Sequence, residues 1–188
     1  MRLLIMGAPG AGKGSQAGFM SDRLGIPAIS TGDLFRHHVR ERTPLGMQVE
    51  EIMRSGDYVP DSITNEIVRD RLDREDARDG FILDGYPRTP DQVGELDTML
   101  AIPQTSIDAV IHLVVPDDAL IPRLMARGAA EGRADDTADS IRHRLSVFES
   151  VTAPILAVYR RRNLLMEVHG LGTVREVSDR ILRELADA

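Results

Sequence analysis

The first sixteen residues constrain the fold most. Leu3–Met6 is a short apolar run, and it leads into Gly7-Ala-Pro-Gly-Ala-Gly-Lys-Gly-Ser15 and then a helical pattern over Lys13–Leu24. A buried strand that turns through glycines straight into a helix fits a parallel sheet, in which strands are joined by helical crossovers. Glycines let successive backbone N–H groups turn inward around an anion, and the following helix directs its positive end at the same place. Lys13 adds a charge there; among 23 lysines and arginines it is the only lysine. Ser15 adds a hydroxyl. Gly10, Ala11, Gly12, Lys13, Gly14 and Ser15 therefore predict a phosphate-binding loop. A glycine turn with an incidental lysine explains less, because strand, glycines, lysine, hydroxyl and helix all agree. Gly14 stands where the general motif has Ser or Thr, so the hydroxyl comes one position later.

At 188 residues the chain is one domain by length, 1–188, with enough residues for a real core. Aromatics make up 4% and Trp is absent, so aliphatic packing must fill that core. The net charge of −7, with Arg160–Arg162 as the only basic run, argues against a broad nucleic-acid surface. The chain has no cysteine, which excludes disulfides and thiolate metal sites. No apolar run reaches the length of a membrane span, and the strand before the loop is too short for a signal-peptide core. The expectation is a cytoplasmic enzyme or binding protein with no membrane partner.

Further short apolar segments at Phe81–Leu83, Ala109–Val115 and Leu164–Val168, with a weaker one at Ala28–Ser30, read as buried strands. Helical patterns alternate with them: Gly32–Arg40, Leu45–Ser55, Ser62–Arg74, Pro90–Leu100, Asp118–Ala126, Ala138–Arg162 and Thr173–Ala186. The class is α/β, with ligands expected at the C-terminal strand ends. Residues 30–59 hold two helical patterns and no strand, which predicts a helical insertion over the sheet edge. Residues 127–133 read as a small loop between arginines. Pro122 predicts a late start or a bend in its helix.

The shifted loop G-x-P-G-x-G-K-G-[ST] resembles that of the nucleoside monophosphate kinases, the adenylate kinases in particular. Ser30-Thr31-Gly32-Asp33-Leu34-Phe35-Arg36 resembles the same family's S-T-G-D-L-[LF]-R, and Asp84-Gly85-Tyr86-Pro87-Arg88 its D-G-[FY]-P-R. The resemblance covers residues 1–173. It implies a P-loop NTPase-type five-stranded parallel sheet flanked by helices, an NMP-binding insertion at 30–59 and a short lid at 126–134. It also implies an AMP site. There, Thr31 would meet the base edge, Arg36 and Arg88 would hold the phosphate, and Gln92 would read the adenine. Gly85, Tyr86 and Pro87 would complete the turn, with Tyr86–Pro87 a candidate cis peptide. Asp57, Tyr58 and Val59 would line the base pocket through backbone groups, with no role assigned to the Asp57 side chain. Ser15 and Asp84 would hold Mg²⁺, mostly through water. Gly172 would touch the ATP adenine.

Phosphoryl transfer needs positioning and converging positive charge more than covalent chemistry. Arg123 and Arg127 are four apart, hence on one helix face. Arg144 flanks the apolar stripe of Ile141, Leu145 and Phe148, while His143 points away from it. The resemblance implies that Arg123, Arg127, Arg133 and Arg144 are catalytic or nucleotide-binding arginines, and Arg133-Ala-Asp135-Asp136 fits its segment. Arg127 would flank the ATP adenine, while Arg133 and Arg144 would also face AMP. The family's longer, zinc-bearing lid is not expected without cysteine. The implied activity is Mg-ATP + AMP = 2 ADP by a monomer. The rival is a UMP/CMP kinase, which typically has Ala where Thr31 stands. A GTP-binding switch would need an Asn-Lys-x-Asp element, which a chain whose only lysine is Lys13 lacks. An inactive nucleotide sensor is the remaining alternative.

Overall fold

Apolar residues alternate between two sheet faces along β1 (Arg2–Met6) and β3 (Phe81–Asp84), and this sets the architecture. Leu3, Ile5 and Ile82 turn to one side, while Leu4, Met6, Phe81 and Leu83 turn to the other. Strands buried on both faces must be covered on both. The computed structural model describes residues 1–131 and 137–187. With β2 (Ala28–Ser30), β4 (Ala109–Val114) and β5 (Leu165–His169), the strands form one five-stranded sheet in the order β2-β3-β1-β4-β5. Every neighbouring pair is parallel.

The helices are α1 (Lys13–Leu24), α2 (Thr31–Arg40), α3 (Pro44–Ser55), α4 (Asp61–Leu72), α5 (Pro90–Ala101), α6 (Asp117–Glu131), α7 (Ala138–Val147), α8 (Ala153–Arg161) and α9 (Val174–Asp187). Met20 of α1 and Val177 and Ile181 of α9 pack with Leu3, Ile5 and Ile111 on one face. Val68 of α4, Leu96 of α5 and Ile155 and Tyr159 of α8 pack with Leu4, Leu83 and Val110 on the other. A smaller core of Phe35, Val49 and Val59 holds α2 and α3 together, and Ile67 of α4 packs against both it and the larger core. Both helices lie between β2 and α4.

Two helices differ from the sequence expectation. The pattern ends the sixth helix at Ala126 and reads 127–133 as a loop, but α6 continues through Gly128 to Glu131, so residues 127–131 are helical. Ala129 and Ala130 favour helix strongly enough to carry the chain past one glycine. Pro122 lies inside α6 rather than delaying its start, leaving the Asp118 carbonyl without its usual donor. The second difference is at Ala138–Arg162, which is not one helix. It divides into α7, a π-helical turn at Phe148–Thr152, and α8. Pro154 supplies the reason: it has no N–H for the Ser150 carbonyl, and its ring crowds the preceding turn.

The register places the site. Asp84, the last residue of β3, pairs with Ile5 of β1 on one side and Ser30 of β2 on the other. The connections leaving β1, β2 and β3 therefore open side by side at the C-terminal edge of the sheet, the usual ligand crevice of such folds.

Candidate functional site

Between β1 and α1 the chain turns through Gly7, Gly10 and Gly12, all at positive φ. Gly12 caps α1 with φ 94° and ψ 15°, a left-handed conformation that side chains other than glycine's rarely adopt. Lys13 then folds back over the loop, and its Nζ donates to the carbonyls of Gly7 at 2.8 Å and Ala8 at 3.1 Å. Burial lowers the Lys13 ammonium from 10.5 to about 8. Asp84 opposes that shift, and Arg88, Arg144 and Arg127 reinforce it. Burial likewise pushes the Asp84 carboxyl above the usual carboxylate range, against the pull of Lys13 and Arg88. A cation and an anion thus share the floor of one cleft.

The cleft has a volume of about 900 Å³. Its lining includes Gly10, Ala11, Gly12, Lys13, Gly14 and Ser15 from the loop, with Asp84 and Gly172. Arg36, Arg88, Arg123, Arg127 and Arg144 also line it, from α2, the β3–α5 turn, α6 and α7. Both terminal nitrogens of Arg123 lie 3.4 Å from the Gly170 carbonyl in the loop after β5. Arg133, Asp135 and Asp136 lie outside the described residues. A smaller pocket of about 80 Å³ opens beside the cleft. Thr31, Asp57, Tyr58, Val59, Gly85 and Gln92 line it, and Arg36, Arg88 and Arg144 border both cavities.

The turn after β3 is shaped by Gly85, at φ 83°, where a Cβ would lie 2.8 Å from Thr31 Oγ1 and 2.9 Å from an Arg88 terminal nitrogen. Thr31 Oγ1 donates to the Gly85 carbonyl at 3.0 Å, and Arg88 Nε donates to the same carbonyl at 2.8 Å. The Tyr86–Pro87 bond is cis, in agreement with the sequence expectation. Tyr86 is 1% exposed, and its hydroxyl donates to Asn65 Oδ1 at 2.8 Å. The Arg36 guanidinium pairs with Asp33 at 2.6 Å.

Ser15 and Asp84 are both in the cleft wall, and a Cβ on Gly14 would lie 3.6 Å from Asp84 Oδ2. No cluster of three His, Asp or Glu residues that could hold a metal occurs among the described residues. One buried carboxylate and one hydroxyl beside a phosphate-type loop suit a hydrated divalent cation that brings most of its ligands with it.

A family model for adenylate kinase matches residues 5–164. The chain belongs to the adenylate kinase family. An adenylate kinase of Kocuria rhizophila is 50% identical over 184 residues, covering 98% of each chain. That of a Nocardioides species is 51% identical over 185 residues, 98% of this chain and 97% of its own. That of Clavibacter michiganensis is 52% identical over 185 residues, 98% of this chain and 92% of its own. The adenylate kinase match contains every candidate residue named above except Gly172, which the alignments to whole relatives span by their coverage.

Within this adenylate kinase framework, some side chains are arranged in ways the sequence did not reveal. Gln92 is 1% exposed and held at both ends. Its Oε1 accepts from the Arg88 backbone N–H at 2.7 Å, and its Nε2 donates to Asp61 at 2.6 Å. The Asp57 carboxylate meets His143 Nε2 at 2.6 Å and accepts from Ser55 Oγ at 2.8 Å. The His143 hydrogen bond, with Ser55, holds Asp57 below its ordinary 3.8. His143 does turn from the apolar stripe, as its position implied, but it turns onto the insertion. Thr152 also lines the cleft, and Asp61 supports the pocket from behind through Gln92, neither announced by the sequence. The only sequence sign for Thr152 is its place just before Pro154, where a helix must break.

Proposed function

We propose that the chain catalyses reversible phosphoryl transfer, Mg-ATP + AMP = 2 ADP. The observation that carries this reading is the set of three arginines, Arg36, Arg88 and Arg144, standing where the glycine-loop cleft meets the Thr31–Gln92 pocket. A group moving from one nucleotide to the other would cross that boundary. The loop backbone and Lys13 would hold the donor phosphates, Lys13 exchanging the carbonyls of Gly7 and Ala8 for phosphate oxygens. Arg36, released from Asp33, and Arg88 would hold the acceptor phosphate. Arg123 and Arg144, with Arg133, would stabilise charge on the transferring group, where preorganised cations contribute most. Arg127 and Gly172 would meet the ATP adenine. Thr31 and Gln92, with the backbone of Asp57, Tyr58 and Val59, would enclose the AMP base.

Mg²⁺ arriving with ATP would be held by Ser15 and, through water, by Asp84, and when bound it offsets charge on the donor phosphates. The acceptor is already an anionic phosphate oxygen, so no side chain has to remove a proton from it. Closure of the insertion and of the lid at 126–134 over the cleft would exclude water and favour transfer over hydrolysis. The setting proposed is a cytoplasmic monomer maintaining adenine nucleotide balance, with ATP, AMP and ADP as its partners and no nucleic acid. A coupled assay of ADP formation with AMP, UMP and CMP in parallel tests the reading. Preference for AMP is the expected outcome. Preference for UMP or CMP would replace the acceptor, and no turnover with any of the three would overturn the reading.

A further inference from the structure

Arg88 is gripped at both ends by groups outside its own turn. At the main-chain end, Thr152 Oγ1 donates to the Arg88 carbonyl at 3.0 Å. At the side-chain end, the guanidinium carbon lies 4.7 Å from the centroid of the Tyr58 ring, within cation–π range. The two grips are one connected unit, because the Tyr58 hydroxyl lies 2.8 Å from Thr152 Oγ1. Hydrogen counting orients the chain of bonds. Thr152 has a single hydroxyl proton, and the Arg88 carbonyl takes it. Tyr58 must therefore be the donor to Thr152, giving Tyr58 O–H to Thr152 O–H to Arg88 carbonyl. Thr152 is 5% exposed, so water competes poorly for these bonds.

The backbone around Thr152 explains why its hydroxyl is available. Thr152 ends the π-helical turn with helical backbone angles, φ −92° and ψ −40°, rather than the extended angles of a residue whose hydroxyl caps a helix. Here it makes no cap bond. Pro154, in the first turn of α8, offers no N–H, and the π-helical turn ahead of it leaves Thr152 facing the β3–α5 turn. The Thr152 hydroxyl is thus directed at the Arg88 carbonyl.

We propose that Thr152 and the Tyr58 hydroxyl are positioning residues for Arg88, holding its main chain and guanidinium in the place where the acceptor phosphate binds. This rests on the reading of Arg88 as an acceptor-phosphate group. Neither residue touches the reacting atoms; both act through Arg88. The effect therefore falls on the monophosphate and spares ATP, a distinction that general loss of packing would not produce.

The test uses Thr152→Val, Thr152→Ser, Tyr58→Phe and the Thr152→Val/Tyr58→Phe double variant in the full chain. AMP and ATP affinities are measured separately by calorimetry, alongside KM for each nucleotide. Thr152→Val should weaken AMP about tenfold and leave ATP within about twofold of the parent. Thr152→Ser, which restores the hydroxyl, should stay within about twofold for both nucleotides. Tyr58→Phe should weaken AMP by about threefold, and the double variant should match Thr152→Val, since the Tyr58 hydroxyl acts only through Thr152. Unchanged AMP affinity in a folded Thr152→Val chain would overturn the proposal, as would equal weakening of AMP and ATP. If Thr152→Val does not fold, Tyr58→Phe decides: parental AMP affinity in that variant overturns the proposal. Calorimetry needs no turnover, and the parent's own turnover tests the activity reading independently.

Discussion

At the residue scale, Lys13 is the one place in this chain where lysine replaces arginine as the cation. Its Nζ reaches the Gly7 carbonyl at 2.8 Å on the inside of a turn whose N–H groups already provide directional donors. A compact ammonium on a thin stem fits that space, whereas a guanidinium is wider and fixes its donors in a plane. Lys13→Arg should therefore give a folded chain with turnover lowered by about 10²–10³-fold, the usual loss when one preorganised charge-stabilising donor is displaced. Circular dichroism and the coupled assay together check this; near-parental activity would show the lone lysine to be incidental. That Lys13, Asp84 and Arg88 share one cleft was legible because each belongs to a short motif at the C-terminal end of a strand. Thr152 was not, because its partners Tyr58 and Arg88 are distant in sequence and only the fold brings the three together.

At the element scale, the break between α7 and α8 and the extension of α6 show where local pattern is outweighed. The heptad-like apolar spacing over Ala138–Arg162 continues through Pro154, but the missing N–H forces a wider turn there. The insertion and α7 also meet through Asp57 and His143, a side-chain pair that helical periodicity on either element could not reveal. The His143 bond holds the Asp57 carboxyl below 3.8, so its contribution is present above the ordinary carboxylate value and is lost as pH falls through the lower folded value. His143→Ala should move the Asp57 midpoint upward toward 3.8, measured by carbon-detected NMR titration of the carboxylate. A midpoint that stays where it is in the parent would assign the shift to Ser55 instead.

At the scale of the whole molecule, the strand segments and their alternation with helices predicted the parallel sheet, and the structure has it. Strand order was not predicted, because β2-β3-β1-β4-β5 depends on which crossovers pass over which face and not on any one segment. That order sets β1 and β3 side by side and brings the glycine loop against the Asp84–Arg88 turn. The small core of Phe35, Val49 and Val59 packs α2 and α3 together, and Ile67 of α4 joins it to the main core. Closure over both nucleotides should appear as a smaller radius of gyration in small-angle scattering when a bisubstrate inhibitor is added. An unchanged radius at saturation would remove closure from the mechanism.

The most direct measurement of the central claim is a ³¹P NMR time course of the chain with ATP, AMP and Mg²⁺. The account predicts that ATP and AMP disappear one for one, that ADP rises at twice that rate, and that no inorganic phosphate accumulates. ATP lost to inorganic phosphate with AMP untouched, or no exchange at all, would contradict it.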